Sequence, residues 1–140
     1  LHRHLGVFAI VGVKMGIRAR EYFNTGVDEF SVVSFAGSAP PLSCMNDGLQ
    51  VSTGATPGHG LLKVVNDQPL APSAEFTYLG KKIRLTLKSE LAQKISSELQ
   101  EINFIYGLDS NIYWELVRKS SVNYWLSLDR HEIFDIEVVE

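Results

Sequence analysis

The stretch LGVFAIVGVKMGIRAREYF, residues 5–23, constrains how the rest of the chain can fold. Its apolar residues recur every three or four positions, which predicts a helix with one buried face formed by Phe8, Val11, Met15, Ala19 and Phe23. Glycines at positions 6, 12 and 16 each weaken such a helix by roughly 1 kcal/mol relative to alanine. We interpret them as points where another backbone approaches closely. Residues 24–27 should end the helix, with Gly26 suited to a left-handed cap.

Strand and helix patterns alternate along the remaining chain. Strands are expected at residues 30–35 and 61–65, and a hairpin at residues 75–87 that turns at Gly80-Lys81-Lys82. Ser43 should cap a helix over Cys44–Thr53, and further helices are expected from Ser89 to Gly107 and over 111–126. Residues 133–138 form a final strand or an extended tail. The fold class is α+β, a small mixed or antiparallel sheet packed against several helices.

Length and composition describe a globular protein. The chain has 140 residues, 45% of them hydrophobic and 21% charged, so one domain over residues 1–140 is expected. A formal net charge of −3 argues against a nucleic-acid partner, which requires a basic excess. One cysteine excludes an internal disulfide framework and a four-cysteine zinc finger. No apolar run reaches the ~20 residues of a membrane helix, so no membrane association is expected.

The first residue is Leu1, and we expect residues that precede it to have been removed. A signal peptide is not expected, because Lys14, Arg18 and Arg20 stand where small residues of a cleavage site belong. We therefore expect a cytoplasmic protein.

Candidate metal ligands lie in two places. His2 and His4 share a face of extended chain, and imidazole is the commonest metal ligand. Cys44 opens a predicted helix, whose dipole should lower the pKa of the thiol and favour the thiolate. The alternatives are solvated histidines near a chain end and a cysteine that is simply a small buried apolar residue.

Asp47 and Gln50 fall on the same side of that helix as Cys44. Asp47 is a candidate acceptor for a metal-bound histidine and a candidate proton carrier. Its alternative role is to compensate the helix dipole in the first turn. Gln50 is a candidate binding residue.

A glycine-rich turn, TGATPGHG at residues 53–60, could present backbone N–H groups and hydroxyls to a small anion or cofactor. Its candidate binding residues are Thr53 and Thr56, and His59 is a candidate proton carrier. It lacks the Lys-Ser/Thr pair of a nucleotide-binding phosphate loop. A surface role for His59 is the alternative. Trp114, Tyr124 and Trp125 on the last helix suggest core or dimer contacts.

Two blocks of the sequence resemble the E-subunit family of formylmethanofuran dehydrogenase. LHRHLGVFAIVGVKMG, residues 1–16, resembles the family's Phe-His-Gly-His-x-Cys-Pro-Gly opening and the glycine-bearing helix after it. SCMNDGLQVSTGATPGHG, residues 43–60, resembles Cys-x-x-Asp-x-x-Gln followed by Thr-Gly-Cys-Thr and Gly-Lys-Gly. Order and separation of the blocks agree with the family.

The resemblance implies an α+β core domain that commonly pairs as a homodimer, here without the family's C-terminal zinc finger. It implies oxidoreductase partner subunits, since the namesake accompanies the tungsten or molybdenum enzyme that fixes carbon dioxide onto methanofuran. It also implies a metal cleft formed by His2, His4 and Cys44. The two other family cysteines are replaced by Gly6 and Ala55, so one chain cannot form a redox-active thiol pair.

The sequence thus supports a domain that binds a divalent metal, with zinc favoured by the His/His/Cys set and nickel or iron as alternatives. Its role would be accessory or redox-linked, and whether it is an enzyme stays open. The competing hypotheses are a non-catalytic dimeric interaction module and a small-anion or cofactor binder that uses residues 53–60.

Overall fold

The computed structural model describes residues 6–26, 29–39, 42–66, 69–106 and 111–139, without the side chains of residues 102–106 and 111–114. It confirms the α+β class. None of the helices in these ranges is long and apolar enough to cross a membrane. In chain order the elements are α1 (Val7–Phe23), β1 (Ser31–Ser34), α2 (Cys44–Thr53), β2 (Leu62–Val64), β3 (Ser73–Tyr78), β4 (Lys81–Leu87), α3 (Ser89–Tyr106), α4 (Asn111–Ser127) and β5 (Phe134–Val139).

The strands form one mixed sheet in the order β2-β1-β3-β4-β5. β2 runs parallel to β1, while the other neighbouring pairs are antiparallel. Side chains alternate between the two faces of the sheet. Val32, Phe76 and Leu85 point to the buried face and join the apolar residues of α1 and α2 in one core.

α1 and α2 cross with almost no space between their backbones. A Cβ built on Gly12 would lie 2.1 Å from the carbonyl oxygen of Met45, and one on Gly48 would lie 2.1 Å from that of Ala9. A Cβ on Gly16 would meet the Ser52 hydroxyl at 1.8 Å. The interpretation of Gly12 and Gly16 as close-approach positions is therefore confirmed, and Gly48 supplies the matching position on α2.

Local details depart from expectation at three turns. Asn24, not Gly26, adopts the left-handed cap of α1, with φ 52°. α2 begins after Ser43 as predicted, but the Ser43 side chain makes no capping hydrogen bond. The β3–β4 hairpin turns at Leu79 and Gly80, both with positive φ, so the turn is two residues long and Lys81 already belongs to β4.

Lys14 fastens the end of α4 to α1. Its ammonium donates to the carbonyl oxygens of Trp125, at 2.9 Å, and Leu128, at 2.8 Å, and lies 4.4 Å from the centre of the Trp125 ring. A cation is favourable where a helix ends in unpaired carbonyl groups. Burial lowers the pKa of this lysine.

A second fastening joins the end of α1 to the turn before β5. Arg130 donates to both carboxylate oxygens of Glu21, at 2.8 and 3.0 Å, and His131 lies 3.3 Å from the same group. His131 also lies 3.2 Å from Asp129. The hydrogen bonds from Arg130 hold the pKa of Glu21 at about 2, well below its usual value. The acidic segment that begins at Asp129 thus leads into a paired strand.

We expect Gly48→Ala to destabilise the protein by about 3 kcal/mol, because the added methyl group would overlap the Ala9 carbonyl oxygen at the helix crossing. Urea unfolding followed by circular dichroism measures the change. Gly26→Ala is the matched control, since no atom lies within 4 Å of the position that its Cβ would take, and it should change stability by less than about 0.5 kcal/mol. Equal losses in the two variants would contradict the close crossing.

Because the pKa of Glu21 is lower in the folded chain, its carboxylate stabilises the fold above about pH 4.5, and this contribution disappears as the pH falls to about 2. Glu21→Gln should therefore be less stable than wild type near pH 7, and the gap should close on acidification. Chemical unfolding at a series of pH values tests this. In an Arg130→Met background the same substitution should lose most of its pH dependence.

Candidate functional site

Cys44 is the first residue of α2 and is 4% exposed. It packs in the same apolar core as Val7 and Phe8 at the start of α1. Burial, reinforced by the negative charge of Asp47, raises the pKa of the thiol to about 11. The expectation that the helix dipole would lower this pKa is wrong for the thiol in the structure, because desolvation has the larger effect.

Asp47 lies one helical turn beyond Cys44, and its charge acts on the thiol. The spacing argument that placed the two side chains together is therefore sound. Gln50 lies one turn further along α2 and is half-buried. Three candidate residues thus share one side of this helix.

His2 and His4 lie outside the described residues. Within the part of the chain that the structure describes, no cluster of three or more histidine, cysteine or acidic side chains could hold a metal ion. Cys44 and Asp47 are consequently the components of the predicted metal site whose surroundings are known.

α1 and α2 run in the same direction. Ala9 contacts Gly48 near the start of each helix, while Gly16 contacts Ser52 and Thr53 further along both. The first residues of the two helices therefore lie at the same end of the pair. The chain enters α1 at Gly6, at the end where α2 begins with Cys44.

Sequence reasoning missed a buried polar pair at this end of the molecule. The Ser34 hydroxyl, at the end of β1, donates to the side-chain oxygen of Asn46, and the Asn46 amide donates to the Gly37 carbonyl at 2.9 Å. Ser34 also accepts from the backbone N–H of Ala36. A serine in an apolar strand and an asparagine in a first helical turn are the signals, but nothing in the sequence links them. The pair fixes the first turn of α2 against the sheet.

The glycine-rich turn lies at the other end of α2. Nine residues separate Cys44 from Thr53, about 14 Å along a helix. Leu62, just after the turn, pairs with Val32 near the beginning of β1, whereas the end of β1 contacts Asn46. The turn residues and Cys44 therefore belong to different parts of the surface.

Hydrogen bonds within the chain occupy much of the polar capacity of this turn. The Thr53 hydroxyl donates to the Leu49 carbonyl at 2.6 Å and accepts from the N–H of Ala55. The Thr56 hydroxyl accepts from the N–H of His59 at 3.2 Å. The N–H groups of Gly54, Gly60 and Leu61 also donate to backbone carbonyls. An anion would have to displace these bonds, so the geometry favours a structural turn, with His59 exposed at its tip.

α4 divides its aromatic residues between two environments. Tyr124 is buried and donates to Glu98 of α3 at 2.5 Å, whereas Trp125 is 44% exposed beside Lys14. Trp114 lies outside the described side chains. An open groove of about 540 Å³ runs along α4, lined by Glu115, Leu116, Arg118, Lys119, Val122 and Asn123. It contains neither Cys44 nor Asp47.

Comparisons with known proteins identify the family. A family model described as "FmdE, Molybdenum formylmethanofuran dehydrogenase operon" matches residues 1–134 and ends where β5 begins. A solved structure of an FmdE-like protein of tungsten formylmethanofuran dehydrogenase, from Syntrophus aciditrophicus, is 16% identical, with a TM-score of 0.45. The comparison covers 94% of this chain and 63% of that one, so the chain spans less than two thirds of its length. A search of curated proteins found no match.

We expect Cys44 in metal-free protein to react slowly with a thiol reagent at pH 8. A pKa of about 11 in place of 9.0 lowers the thiolate fraction roughly 100-fold. Absorbance of the released thiolate from Ellman's reagent, with and without denaturing guanidinium, measures the ratio of rates. A rate in the folded protein equal to that of the unfolded chain would contradict the burial of the side chain.

Proposed function

The chain belongs to the FmdE family, and from that premise we propose that it is an accessory metal-binding domain in which His2, His4 and Cys44 hold a zinc-like divalent ion. We propose further that it acts in the cytoplasm as a homodimer, together with oxidoreductase subunits. The family's association with a dehydrogenase operon supports such partners.

One observation carries the metal proposal: α1 and α2 start at the same end of the helix pair. Cys44 begins α2 there, and the chain that contains His4 enters α1 there at Gly6. Two residues of extended chain reach at most about 7 Å, so the entry point limits where His4 can lie. The helix crossing at Gly12 and Gly48 therefore supports a site shared by both segments.

The chemistry of the donors fits a zinc-like ion. Two imidazoles and one thiolate leave a coordination position for water, which is typical of catalytic zinc sites. The Asp47 carboxylate adds negative charge beside Cys44 and would serve as an acceptor for a ligand histidine. When bound, such an ion would act as a Lewis acid.

The residues that replace two family cysteines point to an accessory role. Gly6 is buried at the start of α1, and Ala55 is fully buried in the core. Neither position offers a thiol, so one chain does not supply the second sulfur of a dithiol reaction. Binding of the ion, and not thiol redox chemistry, is the activity that these residues support.

Elemental analysis of purified protein tests the proposal. We expect near-stoichiometric zinc in the wild type after incubation with the ion and desalting, and loss of most of it in both Cys44→Ser and His4→Ala. His59→Ala is the matched control, because this histidine lies on an exposed turn beyond the far end of α2. It should retain the metal of the wild type.

Circular dichroism of each variant separates loss of ligand from loss of fold. A folded wild type that binds no zinc would contradict the proposal and favour the interaction module. A folded Cys44→Ser variant that keeps its metal would show that the thiol is not a ligand.

A further inference from the structure

β5 forms one edge of the sheet and begins at the last residue of the segment that matches the family. It pairs with β4 on one side, and no strand of the described chain pairs with its other side. Edge strands present a row of backbone groups that another strand can use.

The register identifies which backbone groups face outward. Lys88 donates to the Ile133 carbonyl at 3.0 Å, which makes these opposed residues a hydrogen-bonded pair. Such pairs alternate in an antiparallel ladder, so Asp135 and Glu137 bond to β4 as well. Leu87 donates to the Pro72 carbonyl at 2.9 Å on the opposite side of β4, as this alternation requires. The backbone groups directed to the outer edge therefore belong to Phe134, Ile136 and Val138.

The two faces of this edge differ in chemistry. Ile136 and Val138, 37% and 66% exposed, continue the apolar face of the sheet beyond the buried Leu85 and Ile83. Asp135 and Glu137 lie on the opposite face and are exposed.

The two carboxylates are not neutralised by the sheet. Arg84 stands opposite Glu137, but its guanidinium lies over the Phe35 ring at 4.5 Å and is 3.5 Å from Glu75. No ion pair to Asp135 or Glu137 is formed within the described residues. The edge therefore combines an apolar strip with two uncompensated negative charges.

We propose that the outer edge of β5 binds an extended segment of a partner protein in which lysine or arginine alternates with apolar side chains. Addition of such a strand would satisfy the outward backbone groups, cover Ile136 and Val138, and place cations opposite Asp135 and Glu137. A second copy of β5 fits poorly. Two-fold antiparallel pairing would bring Asp135 opposite Glu137, or Glu137 opposite itself, and opposed like charges are destabilising.

The test uses two synthetic peptides, one alternating lysine with valine and the other glutamate with valine. Amide hydrogen exchange of the whole labelled chain, followed by NMR, reports on each residue of β5. With the lysine peptide in excess, we expect exchange at Phe134, Ile136 and Val138 to slow at least tenfold. Asp135 and Glu137 should change little, because their N–H groups already bond to β4, and the glutamate peptide should have no effect.

Substitutions then separate the contributions of backbone, side chain and charge. Ile136→Pro removes an outward donor without breaking a bond to β4 and should abolish peptide binding. Val138→Ser and Glu137→Gln should each weaken it several-fold, and they keep the test informative if the proline variant does not fold. Val51→Ser, at an equally exposed valine of α2, is the matched control and should bind as the wild type does.

Three results would overturn the proposal. They are protection at residues away from β5, equal protection by the glutamate peptide, and a concentration-dependent dimer of the chain alone that Ile136→Pro abolishes. The last would assign the edge to a second copy. Zinc content measured on the same samples keeps this outcome distinct from that of the metal proposal, which does not involve β5.

Discussion

At the crossing of α1 and α2, the Cα of Gly12 would lie 2.9 Å from a Cβ placed on Gly48. Two helices approach this closely only where neither carries a side chain at the contact, so the crossing fixes both their separation and their relative position. Ser52 strengthens it through a hydroxyl that lies within hydrogen-bonding distance of the Gly12 and Gly48 carbonyl oxygens, at 3.3 and 2.8 Å. The apolar residues around these glycines then pack as one core against the sheet.

The consequence for function is a division of the molecule into two ends. Because α1 and α2 run in the same direction, their first residues, and with them Cys44 and Asp47, lie together at one end. The buried hydrogen bonds of Ser34 and Asn46 hold the sheet against that same end. The glycine-rich turn lies at the other end, where Thr53 and Thr56 are engaged in hydrogen bonds within the chain.

The rest of the fold attaches to the outer side of α1. Lys14 binds the carbonyl groups at the end of α4, and Glu21 binds Arg130 in the turn before β5. Both contacts join residues more than a hundred positions apart. They explain why the acidic C-terminal segment forms a fifth strand instead of leaving the sheet.

The sequence by itself determined the elements, because each depends on periodicity and turn chemistry within a short window. The glycines of α1 predicted a close backbone contact, the spacing of Cys44 and Asp47 predicted their proximity, and the two family motifs predicted the family. Single turns were less accessible, since Asn24 and Leu79 adopt positive φ where glycine was the expected residue.

Only the tertiary structure decided what depends on burial and on contacts between distant segments. It showed that desolvation outweighs the helix dipole at Cys44, that Gly48 is the partner of Gly12, and that His59 and Cys44 lie at opposite ends of α2. A local pattern fixes which face of an element is apolar, but not which element covers that face. The environment of a side chain, and hence its chemistry, follows from that covering element.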